Sequence, residues 1–201
     1  MNELQKRIIE LKEKKHAVIL AHYYVPEDVQ QIADYIGDSY YLSEKAKETD
    51  KDIIVFAGVS FMGESAKILN TEKKVLIPDP SADCEMAHMA DVNKIHRMRE
   101  MYSDLAVVCY INSTAELKAE SDVCVTSSNA VKIVKKLSNK NIFFIPDKNL
   151  GTYVAQKVPE KNIILNDGYC PVHRDITLEE VKKSQSMHPK ALVLVHPECE
   201  K

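Results

Sequence analysis

Three stretches of the chain repeat one pattern: AVILAHYY at residues 17–24, LAVVCYIN at residues 105–112 and ALVLVHPE at residues 191–198. In each of them, five small or apolar residues precede a polar residue, a spacer and a second polar residue. The first polar positions, His22, Tyr110 and His196, are separated by 88 and 86 residues. Such a regular period predicts repeated copies of one structural unit.

The apolar runs along the whole chain predict an α/β fold with parallel sheets. They are short and rich in Val and Ile, and they alternate with amphipathic stretches, which is typical of buried strands flanked by helices. We expect strands at residues 17–21, 53–57, 75–77, 105–109, 123–125, 142–145, 163–165 and 191–195. A helix is predicted over residues 26–36, and Thr177 and Glu180 have the spacing of a capping box before another helix.

The repeat divides the chain into two α/β units and the opening of a third. A second similarity, between VLIPD at residues 75–79 and FFIPD at residues 143–147, supports the repeat with an offset of 68 residues. We place the first repeat at residues 1–88 and the second at residues 89–173. The start of a third repeat, incomplete in this chain, is expected at residues 174–201.

Composition excludes several classes of protein. The 27 basic and 30 acidic residues are mixed along the chain and give a net charge of −3, so neither nucleic acid nor an anionic membrane is expected as the main partner. No apolar run approaches the roughly 18 residues that span a bilayer. Charged residues near the N-terminus replace the apolar stretch of a signal peptide, so we expect a cytoplasmic protein. In that compartment five cysteines favour metal, cluster or core thiols over disulfides.

Polar side chains follow the repeated strands at the point where each strand ends. In parallel α/β sheets, ligands bind beyond the carboxyl ends of the strands. The residues at these three ends are His22, Tyr24, Tyr110, Asn112, His196 and Glu198. If the copies pack around a pseudo-threefold axis, these groups converge on one cavity that suits a small polar anion and proton transfer. The alternative is that each polar group simply leaves its strand for solvent.

Serines precede two of the predicted helices. Ser39 stands before one helix, and the pair Ser127 and Ser128 stands before another. A hydroxyl group and free backbone N–H groups at such a place can hold a carboxylate or a phosphate. The same serines also suit plain N-caps, which helices prefer in any case.

The cysteines divide into two kinds. Cys109 and Cys124 lie within predicted apolar strands and are expected to be inert core residues. Cys84 and Cys170 follow strands in loops, where a thiolate can reach a metal. Cys170 precedes a proline, as in some iron–sulfur loops, and with His173 it has the spacing of half a zinc site. A complete zinc site would need a partner pair, and the order Cys-x-x-His does not recur in the chain.

Taken together, these residues closely resemble the A-type quinolinate synthase family of de novo NAD biosynthesis. The matching phrases, in family order, are LAHYY at 20–24, IGDS at 36–39, FMGESA at 61–66, DCEMA at 83–87, YIN at 110–112, VTSSN at 125–129, GYCP at 168–171 with His173, and VHPEC at 195–199. They cover nearly the whole chain.

The resemblance implies a fold, a cofactor and a reaction. The fold would be a pseudo-threefold triangle of three-layer αβα domains around a [4Fe–4S] cluster. Three cysteines would hold the cluster and leave its fourth iron open to substrate. The enzyme, a transferase, would condense iminoaspartate with dihydroxyacetone phosphate to quinolinate, releasing phosphate and water. L-aspartate oxidase or aspartate dehydrogenase would supply the iminoaspartate.

The resemblance also implies a role for each matching residue. Cys84 and Cys170 would be two of the cluster ligands. The residues that would bind the carboxylates and the phosphate are His22, Ser39, Asn112, Ser127, His173 and His196, with Ser128 as the alternative to Ser127. Tyr24, Tyr110 and Glu198 would position the intermediate and move protons.

One departure from the family stands at the end of the chain. Family members continue past the phrase that contains Cys199, and a later segment supplies the third cluster cysteine; Cys199 itself is not that ligand. Because two thiolates rarely retain four irons, we expect this chain to hold a cluster poorly and to have little activity. The alternative functions are an inactive anion-binding or regulatory fragment of the same fold and a zinc-dependent hydrolase that uses Cys170 and His173.

Overall fold

The computed structural model describes residues 1–200, which form two compact units, residues 1–84 and residues 85–200. Each unit contains a four-stranded sheet in which every strand pair is parallel. The predicted α/β class with parallel sheets is therefore confirmed. No helix formed by residues 1–200 combines the length and the apolar character that a membrane crossing requires.

The first unit alternates helices and strands from its beginning. Its elements are α1 (Glu3–Lys14), β1 (Ala17–His22), α2 (Glu27–Gln30), β2 (Tyr35–Gly37), α3 (Ser39–Glu48), β3 (Ile53–Ala57), α4 (Ser60–Leu69) and β4 (Lys74–Leu76). The strand order in the sheet is β2-β1-β3-β4. Only a crossover connection can join parallel neighbours, which is why a helix separates successive strands.

The second unit repeats this arrangement after a short 3₁₀ helix at Glu85–His88. Its elements are α5 (Val92–Met101), β5 (Leu105–Tyr110), α6 (Ala115–Ala119), β6 (Val123–Val125), α7 (Ala130–Lys136), β7 (Asn141–Ile145), α8 (Lys148–Lys157), β8 (Asn162–Leu165), α9 (Pro171–Arg174) and α10 (Leu178–Met187). The strand order is β6-β5-β7-β8, the same permutation as in the first unit.

Burial of the central strands shows that helices cover both faces of each sheet. All six residues of β1 and all six of β5 are buried. Successive side chains of a strand point to opposite faces, so complete burial requires cover on both sides. Each unit is thus a three-layer αβα sandwich whose core surrounds its central strand.

The two sheets are related by one constant offset. The strand starts Ala17, Tyr35, Ile53 and Lys74 correspond to Leu105, Val123, Asn141 and Asn162, each 88 residues later. The predicted similarity between VLIPD and FFIPD is therefore wrong as a sign of the repeat, because it relates the end of β4 to β7 instead of to β8.

A carboxylate joins the edge strand to the central strand at the same place in both units. Asp34 accepts a hydrogen bond from the Ile19 amide (2.8 Å) and donates its own amide hydrogen to the Ile19 carbonyl (2.9 Å). Asp122 does the same with Val107, at 2.7 Å and 3.0 Å. The side chain thereby continues the ladder just before the edge strand begins, so these buried backbone groups remain paired.

Each of these carboxylates also contacts a cation from the first helix of its unit. Lys12 Nζ lies 2.5 Å from Asp34 Oδ1, and Arg99 Nη2 lies 3.0 Å from Asp122 Oδ2. The repeat therefore extends from the backbone to a tertiary side-chain contact.

Seven of the eight predicted strands form, each within one residue of its expected bounds. The predicted capping box also forms: the Thr177 amide donates to Glu180 Oε2 and the Glu180 amide donates to Thr177 Oγ1. The helix predicted over residues 26–36 is wrong beyond Gln30, since Tyr35–Gly37 pairs with β1 as strand β2. The bond from Asp34 to Ile19 holds the chain beside β1, where extended backbone can join the ladder.

The strand predicted at residues 191–195 does not form. This segment is irregular, and its side chains are exposed, with Leu192 at 91% and Leu194 at 93%. A strand needs a hydrogen-bonding neighbour, and residues 1–200 provide no third sheet beside it. The boundaries of the three predicted repeats stay a prediction.

Asp122→Ala tests the carboxylate that joins β6 to β5. We expect it to lower the free energy of unfolding by about 1–3 kcal/mol, because the buried Val107 amide loses its acceptor. The change is measured by urea denaturation. Asp50→Ala removes an exposed carboxylate and is the control, with an expected change within about 0.5 kcal/mol. Equal effects of the two substitutions would contradict the proposed ladder role.

Candidate functional site

A cluster of polar side chains lies at the carboxyl ends of the strands of the second unit. We call it the Glu198 cluster, and its members are Tyr110, Ser127, His173, His196 and Glu198. Tyr110 is the last residue of β5, and Ser127 follows β6 by two residues. Because the strands are parallel, these ends meet at the same edge of the sheet.

Glu198 lies at the centre of the cluster and is only 3% exposed. Its Oε2 is 3.0 Å from His173 Nδ1 and 3.6 Å from His196 Nδ1, and the two imidazole rings stack with centroids 4.9 Å apart. Asn149 Nδ2 donates to the Glu198 carbonyl oxygen (2.9 Å), which ties this irregular segment to α8. The contact of Glu198 with His173 is close but not aligned as a hydrogen bond. Within residues 1–200, His173 Nδ1 and Glu198 Oε1 are buried without hydrogen-bond partners.

Electrostatics keep Tyr110 protonated. Burial raises the pKa of Tyr110, and the neighbouring Glu198 carboxylate raises it further. The Ser127 hydroxyl has the opposite effect and lowers this pKa. The phenol therefore keeps its proton at neutral pH. Burial lowers the pKa of His196, against the opposing Glu198 charge, and His173 lowers it further. A neutral imidazole can accept or donate a proton.

Ser127, and not Ser128, occupies the position equivalent to Ser39. The offset of 88 residues that relates the strands also relates Ser39 to Ser127. Ser127 is half-buried and its hydroxyl lowers the pKa of Tyr110, whereas Ser128 is exposed and its Oγ lies 2.8 Å from Thr126 Oγ1. Neither serine is the N-cap of α7, since that residue is Asn129.

A cavity of about 610 Å³ opens beside the cluster. It is lined by Ser127, Ser128, Tyr153, Val195, His196, Pro197, Cys199 and Glu200. Asn112, the remaining predicted residue of this unit, is half-buried in the bend after β5, two residues beyond Tyr110.

The predicted residues of the first unit lie at the end of β1 and the start of α3. His22 is buried, and its ring lies edge-on to that of Tyr24 with centroids 4.6 Å apart, although Tyr24 is 88% exposed. Burial lowers the pKa of His22, and the Asp38 charge opposes this. Ser39 is the first residue of α3 and is half-buried, but Asp38 is the N-cap. Capping therefore does not require the Ser39 hydroxyl.

Cys170 belongs to a group of side chains that can hold a metal ion. It is the N-cap of α9, and its thiol, one His173 nitrogen and one Glu198 oxygen all lie within 4.8 Å of one another. A thiolate, an imidazole and a carboxylate together suit zinc or another first-row metal. The sequence indicated Cys170 and His173 as a pair of possible metal ligands, and the structure adds Glu198 to them as a third.

Asp147 is a buried carboxylate that the sequence did not indicate. It is fully buried, caps α8 by accepting the Leu150 amide, and has no hydrogen bond to its Oδ2 within residues 1–200. Burial raises the pKa of Asp147 to about 6, although backbone N–H groups, including that of Cys170, lower it. The only sequence signal was a Pro-Asp step shared with Asp79, which is exposed and bonds to Ser81 instead.

Cys84, Cys109 and Cys124 differ in their exposure to solvent. Cys84 is half-buried in the loop after β4, as expected, and its amide donates to Asp83 Oδ1 (2.8 Å). Cys109 is fully buried in the core, also as expected. The expectation that Cys124 is a core residue is wrong: it is exposed, because β6 is an edge strand.

Comparison with known proteins gives one consistent result. The family model of NadA, the quinolinate synthetase A protein, matches residues 6–201. The quinolinate synthase of Fusobacterium nucleatum is 59% identical over 196 residues, which are 98% of this chain and 66% of that protein. Those of Clostridioides difficile and Aquifex aeolicus are 52% and 53% identical over 199 residues, which are 99% of this chain and 66% and 62% of the relatives.

The chain thus spans about two thirds of the length of the curated relatives that it matches. The match covers both sheets and the whole Glu198 cluster, and it extends over nearly every residue of the chain. The chain belongs to the quinolinate synthetase A family.

Proposed function

We propose that this chain forms the first two domains of a quinolinate synthase, a transferase of NAD biosynthesis. The reaction condenses iminoaspartate with dihydroxyacetone phosphate and releases phosphate and water. The observation that carries the proposal is the Glu198 cluster, in which a buried carboxylate, a buried phenol and two imidazoles meet beside a cavity. Because the chain spans only part of its relatives' length, the activity is proposed for the whole protein.

We assign anion binding to the imidazoles, hydroxyls and amide at the strand ends. In the second unit these are His173, His196, Ser127 and Asn112; in the first unit, His22 and Ser39. Imidazole N–H groups and hydroxyls donate hydrogen bonds to carboxylate and phosphate oxygens. Ser39 also stands on the first turn of the ten-residue helix α3, where backbone N–H groups favour negative charge.

We assign proton transfer to Glu198 and Tyr110. Glu198 Oε1 is buried and has no hydrogen bond within residues 1–200, which supports the assignment of Glu198 as the group that takes a proton from a substrate carbon or nitrogen. Tyr110 stays protonated and can donate its phenolic hydrogen to a substrate oxygen that leaves as water. Tyr24, exposed at the end of β1, is proposed as a second donor.

The proposed cofactor is a [4Fe–4S] cluster with Cys84 and Cys170 among its ligands. Both thiols are half-buried in loops that follow strands, and Cys170 lies beside buried polar atoms that lack hydrogen bonds. This donor set fits two of the three cysteines that the cluster needs, and we place the third in the part of the relatives that this chain does not span. When bound, the cluster supplies a Lewis acid for a substrate oxygen.

The partners and the location follow from the same proposal. The substrates are iminoaspartate and dihydroxyacetone phosphate, and the enzyme that delivers the unstable imine would be L-aspartate oxidase or aspartate dehydrogenase. We propose a cytoplasmic location for the whole enzyme.

A second candidate function is a mononuclear metal enzyme, such as a zinc-dependent hydrolase. It is favoured by one observation, the convergence of Cys170, His173 and Glu198 within 4.8 Å. Three protein ligands leave the fourth position of zinc for water, as catalytic sites require. The two candidates make different demands on Cys84, which has no part in the mononuclear site.

Metal content distinguishes the two candidates. The complete gene product is reconstituted anaerobically with iron and sulfide, or with zinc, and bound metal is measured per chain. For a cluster, we expect Cys84→Ala and Cys170→Ala each to lose most of the iron, sulfide and visible absorbance, whereas the exposed control Cys124→Ser retains them. The opposite outcome would contradict the cluster and favour the second candidate. In that case Cys170→Ala would lose zinc, Cys84→Ala would retain it, and Cys84→Ala would bind as much iron as the unchanged protein.

Glu198→Gln tests the proposed base. The amide keeps the shape of the side chain but cannot take up a proton, so we expect kcat for quinolinate formation to fall by about 10²–10⁴-fold with a smaller change in KM. Product is measured with iminoaspartate and dihydroxyacetone phosphate as substrates. The matched control is Glu179→Gln on the exposed first turn of α10. Wild-type kcat in Glu198→Gln would remove Glu198 from the mechanism.

A further inference from the structure

Cys109 and Cys124 stand side by side on neighbouring strands. They are paired residues in the parallel ladder of β5 and β6. Neighbouring strands lie about 4.8 Å apart, and the α-carbons of disulfides are commonly separated by about 4.4–6.8 Å. Paired residues of a ladder also project from the same face of the sheet. The backbone therefore already satisfies the main geometric requirement for a disulfide, while both residues are unbridged thiols.

The two thiols differ in access to solvent. Cys109 is fully buried in the core beside Leu117 and Ile145, whereas Cys124 is exposed on the edge strand. The neighbouring Cys109 thiol and the charge of Lys118 lower the pKa of Cys124 to about 7, although burial of its sulfur opposes this. The neighbouring Cys124 and burial raise the pKa of Cys109, whose thiol donates to the Tyr110 carbonyl oxygen (3.4 Å). At neutral pH the exposed sulfur thus has substantial thiolate character, and the buried one stays protonated.

We propose that Cys109 and Cys124 form a thiol-oxidation site, in which a small disulfide such as oxidised glutathione converts the pair to an interstrand disulfide. The exposed Cys124 thiolate attacks one glutathione sulfur and expels glutathione thiolate, which takes up the proton lost by Cys124. The Cys109 sulfur then attacks Cys124 of the mixed disulfide. The second glutathione leaves as thiolate and takes up the Cys109 proton. Two protein thiols are oxidised, and one oxidised glutathione is reduced to two molecules of glutathione.

The position of the pair links it to the Glu198 cluster. Cys109 directly precedes Tyr110, and Cys124 precedes Ser127 by three residues on the adjacent strand. The disulfide would covalently join the two strands whose ends carry the Tyr110 and Ser127 side chains. It uses neither Cys84 nor Cys170, so oxidation at this site is separate from the proposed cluster ligands.

Peptide mapping tests which cysteines become linked. The chain is reduced, freed of reductant and incubated anaerobically with oxidised glutathione. The remaining thiols are then blocked with N-ethylmaleimide. Trypsin cleaves after Arg99, Lys118 and Lys132, so Cys109 falls in the peptide 100–118 and Cys124 in the peptide 119–132. Mass spectrometry should find these two peptides linked as the main cross-linked product, and dithiothreitol should separate them. Dominant links to Cys84, Cys170 or Cys199, or a Cys124–glutathione adduct that never resolves, would overturn the proposal.

Three variants make the test specific. In Cys124→Ser, a change at an exposed edge position, the linked peptides should vanish and Cys109 should stay unmodified. In Cys109→Val, which keeps an apolar side chain in the core, the Cys124–glutathione adduct should accumulate. Cys199→Ser is the matched control and should give as much linked peptide as the unchanged chain. Ready modification of Cys109 in Cys124→Ser would show that Cys124 is not the entry point. No readout depends on cluster loading or on quinolinate formation.

Discussion

Parallel strand pairing is the constraint on which the rest of the second unit depends. When all strands of a sheet run in one direction, their carboxyl ends share one edge, and whatever follows each strand is collected there. The first strand of this sheet ends at Tyr110, and the other three are followed in turn by Ser127, Asp147 and Cys170. Each position carries a group capable of acid–base, hydrogen-bonding or metal chemistry. The polar edge is compatible with a stable sheet because the central strand β5 is buried along its whole length.

The sequence predicted best those features that depend on short-range pattern. Seven strands were recognisable because a buried parallel strand needs a short run of Val, Ile and similar residues. The polar residues after β1 and β5 were recognisable for the same reason, since the apolar run marks where the strand ends. The failure at residues 191–195 has a clear cause: the run has the right composition, but strand formation also requires a neighbour.

Other features depend on contacts that no local pattern records. The burial of Asp147 and the exposure of Asp79 follow from the surroundings of two similar Pro-Asp steps. Cys109 and Cys124 look alike in sequence, yet only the strand order decides that one is central and the other at the edge. Glu198 joins Cys170 and His173 because the irregular segment returns to α8 and is held there by Asn149.

The constant spacing between the two sheets has a consequence for how the two units can differ. No connection between the strand starts of one sheet is longer or shorter than its counterpart, although helices α3 and α7 differ in length. The units therefore present different side chains from equivalent points of one backbone plan: histidine against tyrosine, tyrosine against asparagine, and serine in both. The chemical difference between the two strand edges thus comes from the identity of the side chains and not from the length of the connections.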